Sequence, residues 1–220
     1  MEKNLLTTEQ RTLLETIAQN RYLTKQFFFT GGTALAEFYF HHRFSEDLDF
    51  FSESEFDSRQ LLTTISSISK TLKLTKIEQQ TLTGQEVFYL YFADKKFVKT
   101  DFSYFPFPHL GTFKKYYNLN VSSLEDITIN KIQAIITRRR ARDYYDLFLC
   151  LNKLKWNASK IQKNYRLKFD VHVSLEQLAT SYTNVLDAKD LPKFLGNIPW
   201  KSIEKFYLQE TDKLKEKLIK

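Results

Sequence analysis

Cysteine is almost missing from this chain of 220 residues. Cys150 is the one thiol, so no internal disulfide can form. It lies in an apolar helical pattern and reads as a buried packing residue. Glycine and proline are scarce, at five and four, and there is neither a low-complexity tract nor an internal repeat. No apolar signal region opens the chain, and no apolar run is long enough to span a membrane. The expectation is a cytoplasmic protein with no membrane association. What is abundant is aromatic: 20 Phe and 12 Tyr, most of them at strand or helix spacing and therefore core. Hydrophobic residues at 42% and charged residues at 27% fit a soluble globular chain with a sizeable core. Lys and Arg number 33 against 26 Asp and Glu, a net charge of +7. That balance favours polyanions such as nucleotides, RNA or DNA, although lysine-rich solvated faces would give it equally.

Periodicity divides the chain in two. Residues 8–24 read as a helix opened by a Thr7/Gln10 capping box, with Leu13, Leu14, Ile17 and Ala18 as its stripe. A strand over 26–30, a helix over 32–42 and a strand over 47–52 follow. Asp57 starts another helix, and three strands near 73–81, 86–93 and 96–104 form an antiparallel meander with turns at Thr83-Gly84 and Asp94-Lys95. Phe105-Pro106-Phe107-Pro108 reads as a loop. From Ser123 the pattern is helical: one run over 126–153, then helices near 158–166, 174–187 and 200–219, with breaks at Pro192 and Pro199. Lys213, Lys215, Lys217 and Lys220 suit the C-terminal end of the last helix dipole. The expected domains are residues 1–120 and 121–220.

Chemistry concentrates in two blocks. In the first, the strand Phe27-Phe28-Phe29-Thr30 runs into Gly31-Gly32-Thr33, and a later strand carries Asp47-Leu48-Asp49-Phe50-Phe51. Strand residues i and i+2 share a face, so Asp47 and Asp49 project together while Leu48 and Phe50 face the core. Paired carboxylates repel unless a cation sits between them. Hard oxygen ligands with open positions suit Mg²⁺ (or Mn²⁺), which takes its remaining ligands from water and substrate phosphates. Gly31 and Gly32 let the backbone approach a phosphate at a helix start. Thr33 either binds a phosphate oxygen or caps that helix. Together these groups equip the chain for metal-assisted phosphoryl or nucleotidyl transfer. Asp101, in Val98-Lys99-Thr100-Asp101-Phe102, would complete a two-metal site, sharing a metal or taking a proton from an attacking hydroxyl; the alternative is an exposed edge-strand residue.

In the second block, Lys131, Arg138 and Arg142 fall on one face if the helix is continuous, at ~100° per residue. Asp146 then lies about 60° away and Asp143 about 120° away. The three cations either grip a triphosphate or form an ion-pair network with Asp143 and Asp146. Asp146 can also orient Lys131, and Arg138-Arg139-Arg140 can contact a nucleic-acid backbone. His41 and His42 lack a neighbouring Cys or third His, so stacking or capping outweighs metal ligation; Arg43 can steer anions.

The residues Gly31-Gly32-Thr33-Ala34-Leu35, Tyr39, His42-Arg43, Ser45 and Asp47-Leu48-Asp49-Phe50-Phe51, with Lys131, Ala134, Arg138, Arg142-Asp143 and Asp146-Leu147, resemble the nucleotidyltransferase family of AbiEii/AbiGii-type toxins. The match spans roughly residues 25 to 150. The resemblance implies an α+β fold: a nucleotidyltransferase-like mixed sheet with flanking helices, then a C-terminal helical bundle completing the active-site cleft. It implies Asp101 as a third acidic residue and makes Lys131 and Asp143 the leading helical candidates, Lys131 facing the aspartate pair and binding the triphosphate. It also implies a nucleoside triphosphate substrate, an RNA acceptor such as a tRNA 3′ end, and a cognate antitoxin partner. Two other readings stay open. One is a catalytically silent member of the fold that binds protein or RNA. The other is a related transferase acting on a protein hydroxyl.

Overall fold

The structure, a computed structural model, describes residues 5–93, 96–191 and 194–218. The expected turn at Asp94-Lys95, the break at Pro192 and Lys220 lie outside the described residues. The chain falls into two units: Met1–Phe107 with Thr112–Ser123, and Pro108–Gly111 with Leu124–Lys220. Among the described residues no helix is long and apolar enough to cross a membrane.

The first unit is a seven-stranded mixed sheet with helices α1 (Thr8–Gln19), α2 (Arg21–Gln26), α3 (Gly31–Leu35) and α4 (Ser58–Thr71). Its strands are β1 (Phe28–Thr30), β2 (Asp47–Ser52), β3 (Lys76–Leu82), β4 (Gln85–Tyr91), β5 (Phe97–Tyr104), β6 (Lys114–Tyr116) and β7 (Leu119–Val121). They lie in the order β3-β4-β5-β2-β1-β7-β6. The expected meander is β3-β4-β5, paired antiparallel. β2 runs parallel to β5 and antiparallel to β1. Alternation holds across the middle of the sheet: Leu48, Phe50, Phe88, Leu90 and Phe102 are fully buried on one face. Phe50 and Phe102 stack at 5.0 Å, so aromatic packing fixes the β2–β5 register from the core side.

Three helical expectations are corrected. The run over 8–24 is two helices, because Asn20 takes an extended conformation and its side chain accepts from Leu23 N, capping a second helix. The helix over 32–42 is α3 followed by a π-helical turn, Ala36–Phe40, closed by His41 in the left-handed conformation. The run over 126–153 breaks at Arg138–Arg140 into α5 (Leu124–Thr137) and α6 (Ala141–Leu154). The short strands β6 and β7 were hidden in sequence, three residues each being too few to show alternation.

The second unit packs α5 and α6 with α7 (Ala158–Phe169), α8 (Leu175–Thr183) and α9 (Trp200–Leu218). Tyr144, Tyr182 and Tyr207 meet in its core, where Tyr207 donates to the Tyr144 carbonyl at 2.8 Å and Tyr144 to the Ser181 carbonyl at 2.8 Å. Cys150 is buried as expected, and burial pushes its thiol up to about 12. A buried ion pair, Asp126–Lys168 at 2.7 Å, ties Pro108–Gly111 to this unit. Asp126 accepts from the Leu110 and Gly111 amides at 2.9 and 3.2 Å, and Lys168 donates to the Pro108 carbonyl at 3.2 Å.

Candidate active site

Strand β2 carries the first cluster, and its entry is held from several sides. Gln10 of α1, itself buried, donates to the Ser45 and Glu46 carbonyls at 2.9 and 2.8 Å. Thr33 of α3 donates its hydroxyl to the Asp47 carbonyl. That bond commits the Thr33 proton to positioning β2. The capping reading is corrected, since α3 starts behind Thr30 and has no side-chain cap.

Register then places the acids. Asp49 pairs with Thr30 on β1 and with Asp101 on β5; Asp47 pairs with Lys99. Cross-strand partners share a face, so Asp47, Asp49 and Asp101 project from the face opposite Leu48 and Phe50. Thr30 is buried, and its hydroxyl has no hydrogen-bond partner among the described residues.

The two glycines clear space for this cluster. Gly31 has φ +79°, and a Cβ there would lie 2.0 Å from Asp49 Oδ2. At Gly32 a Cβ would lie 2.3 Å from Arg43 Nη2. Arg43 is buried, donating to the Phe44 carbonyl at 3.0 Å. His42 stacks edge-on against Phe40 at 5.8 Å and His41 closes the π-turn, so the histidines serve packing and capping. Tyr39 donates to the Ser122 carbonyl at 2.7 Å, joining that turn to the end of β7.

Sequence reasoning overlooked two residues here. Lys99 Nζ lies 2.6 Å from Asp101 Oδ2 and 3.7 Å from Asp47 Oδ2. Gln85 Nε2 donates to the other Asp101 oxygen at 3.1 Å. Burial disfavours the charge on Lys99, but the hydrogen bond to Asp101 and the fields of Asp101, Asp47 and Asp49 outweigh it and raise its pKa. The signal was present: Lys99-x-Asp101 has the same i, i+2 spacing as Asp47-x-Asp49. Among the described residues no three Asp, Glu, His or Cys side chains close into a cation cage. The donor chemistry nonetheless suits a hard divalent cation: carboxylates sharing one face, and a cradle at Gly31 that a Cβ would fill.

The second cluster lies within the helical unit. Lys131 bonds both Asp143 Oδ1 and Asp146 Oδ2 at 2.7 Å. Arg138 Nε bonds Asp143 Oδ2 at 2.7 Å, with Nη2 3.2 Å from Oδ1. Both aspartates are fully buried, whereas the Arg138 side chain is 47% exposed. Burial pushes Asp143 up, but Lys131 and Arg138 outweigh it and hold its carboxyl below the usual range. The expected stripe of three cations does not form, because the helix break turns Arg138 back onto Asp143. Lys131 and Arg138 form an ion-pair network with Asp143 and Asp146. Arg139 pairs with Asp187 at 2.9 Å.

Comparison with known proteins agrees with this architecture. The family described as "Nucleotidyl transferase AbiEii toxin, Type IV TA system" matches residues 12–219. An uncharacterized protein of Aquifex aeolicus, aq_aa25, is 28% identical over 206 residues, 92% of this chain and 94% of that protein. JHP933 from Helicobacter pylori superimposes with a TM-score of 0.63 at 20% identity, covering 96% of this chain and 90% of that one. MenT4, the nucleotidyltransferase toxin Rv2826c of Mycobacterium tuberculosis, does so with a TM-score of 0.52 at 12% identity, covering 91% and 82%. At those identities the two structures establish the shared fold. The match over nearly the whole chain decides the family: this chain belongs to the AbiEii nucleotidyltransferase toxins of type IV toxin–antitoxin systems and is by class a nucleotidyltransferase.

Proposed function

We propose that the chain moves a nucleotide from a nucleoside triphosphate to an RNA 3′ hydroxyl, with Asp47, Asp49 and Asp101 as the acidic centre. The carrying observation is register: Asp49 and Asp101 are Cα partners on parallel strands, with Asp47 two residues away on the same face. Asp47 and Asp49 would hold Mg²⁺ or Mn²⁺, with Asp101 beside them as a further ligand or base. When bound, such an ion polarises the phosphates and neutralises their charge. Asp101 accepts the proton of the attacking hydroxyl as its oxygen bonds the α-phosphorus; the bond to the β-phosphate oxygen breaks and pyrophosphate leaves. The backbone at Gly31 and Gly32 approaches a phosphate.

In the helical unit, Arg138, half exposed beside Asp143, and Arg142 are proposed triphosphate ligands, as is Lys131. For Lys131 the role requires its ammonium to leave one of two carboxylates; Arg138 needs no such change. Asp143 and Asp146 hold Lys131 in place, and Asp143 holds Arg138. The net charge of +7 supports an RNA acceptor, and the family supports a cognate antitoxin as partner. The test is incubation with each α-labelled nucleoside triphosphate, Mg²⁺ and pooled RNA or protein, read by intact mass. The expected result is nucleotide addition to RNA; label on protein alone would favour a protein hydroxyl as acceptor.

A further inference from the structure

Lys99 lies among the acids without belonging to any motif that identified them. Its ammonium bonds Asp101 Oδ2 at 2.6 Å and reaches within 3.7 Å of Asp47 Oδ2, while Gln85 holds the other Asp101 oxygen. The Asp101 side chain is 7% exposed and that of Lys99 is 29% exposed. Asp101 is therefore anchored, and the ammonium is the partner with access to water. A lysine ammonium is a compact point charge on a flexible four-carbon stem, suited to giving up one ligand for another.

We propose that Lys99 is a resident counter-cation of Asp101 and Asp47, and that a divalent ion gains Asp101 only by displacing its ammonium. This rests on the metal-site reading of Asp47 and Asp49 above. It follows from occupancy, because the ammonium holds the Asp101 oxygen that would complete a three-carboxylate set. No such set is closed among the described residues. It also yields selectivity. A monovalent ion replaces one positive charge by another and gains nothing, whereas a divalent ion adds net charge beside three carboxylates. Without a metal, the lysine relieves carboxylate repulsion and holds the β2 and β5 acids together. The site is thus poised in its folded form before any ion arrives.

The experiment is a Mn²⁺ titration of the full chain, read by electron paramagnetic resonance of the free ion and by melting temperature with and without Mn²⁺. Four proteins are compared: wild type, Lys99→Met, Lys99→Arg and Asp49→Asn. Lys99→Met should bind Mn²⁺ about 5-fold more tightly or better, the size of a typical coupling between two ligands. It should melt lower without metal and gain more on Mn²⁺ addition than wild type. Lys99→Arg, which keeps the charge, should bind no more tightly than wild type. Unchanged or weaker Mn²⁺ binding by a folded Lys99→Met protein, with Asp49→Asn abolishing binding, would overturn the role of Lys99 alone. Mn²⁺ binding by Asp49→Asn equal to wild type would overturn the metal site itself, and this inference with it. Should Lys99→Met fail to fold, Lys99→Gln is read against the same outcomes.

Discussion

The two acidic clusters of this protein are built from the same residue types and differ in how far water reaches them. In the helical unit, the Asp143 and Asp146 side chains are fully buried and ion-paired, Asp143 with Lys131 and Arg138 and Asp146 with Lys131. In the sheet unit, the Lys99 ammonium lies 2.6 Å from Asp101 and 3.7 Å from Asp47, and the Asp47 side chain is 34% exposed. Buried charges persist only when paired, so the helical cluster holds α5 against α6. The sheet cluster sits where water can reach it, with Asp47 and Lys99 both partly exposed. Water-accessible carboxylates are where a cation is gained, and buried, paired ones are where stability is lost on mutation.

The sharpest way to break this contrast is Lys131→Ala. It takes the ammonium from two buried carboxylates, leaving Asp143 with Arg138, and the expected loss is about 3–5 kcal/mol in urea unfolding. A loss below about 1 kcal/mol would show that the cluster is solvated like a surface pair. Lys168→Met should cost a similar ~3–5 kcal/mol, since it strands Asp126 and loosens the Pro108–Gly111 segment. Gly31→Ala comes next. Its Cβ would collide with Asp49 at a left-handed φ, so about 1–3 kcal/mol of stability should go, together with Mn²⁺ affinity.

The smallest effect is the response to acid. The folded pKa of Asp143 is depressed, so its contribution is complete above the unfolded value of about 3.9 and disappears as pH falls through the lower folded value. Unfolding free energy followed downward from pH 6 should therefore fall more steeply below pH 4 (the ordinary carboxylate range) in wild type than in a Lys131→Met/Asp143→Asn/Asp146→Asn triple variant. Equal slopes would remove the network from the acid response.

Much of the first cluster was legible in sequence, because strand alternation is local. Asp47-x-Asp49 with Leu48 and Phe50 fixes which face each side chain takes. The meander and its Thr83-Gly84 turn were legible for the same reason, Gly84 taking φ +70°. What was hidden depends on partners distant in sequence. The pairing of Asp49 with Asp101 needs the β2–β5 crossover, and the bond from Gln10 to Ser45 and Glu46 joins residues some 35 apart. The break at Arg138–Arg140 was missed because no Gly or Pro marks it; Arg140 goes extended and the α6 N-terminus is met by Asp190, which accepts from Ala141 N at 2.8 Å. Propensity favoured one helix, and a long-range cap favoured two.

The central claim, that the water-accessible sheet cluster does the chemistry, is tested most directly by Asp49→Asn. Urea unfolding and nucleotide transfer to RNA would be measured on the same preparation. The expected result is stability equal to or slightly above wild type, because a like charge has been removed, with transfer reduced by at least ~10²-fold. A folded Asp49→Asn protein that transfers nucleotide at the wild-type rate would contradict it.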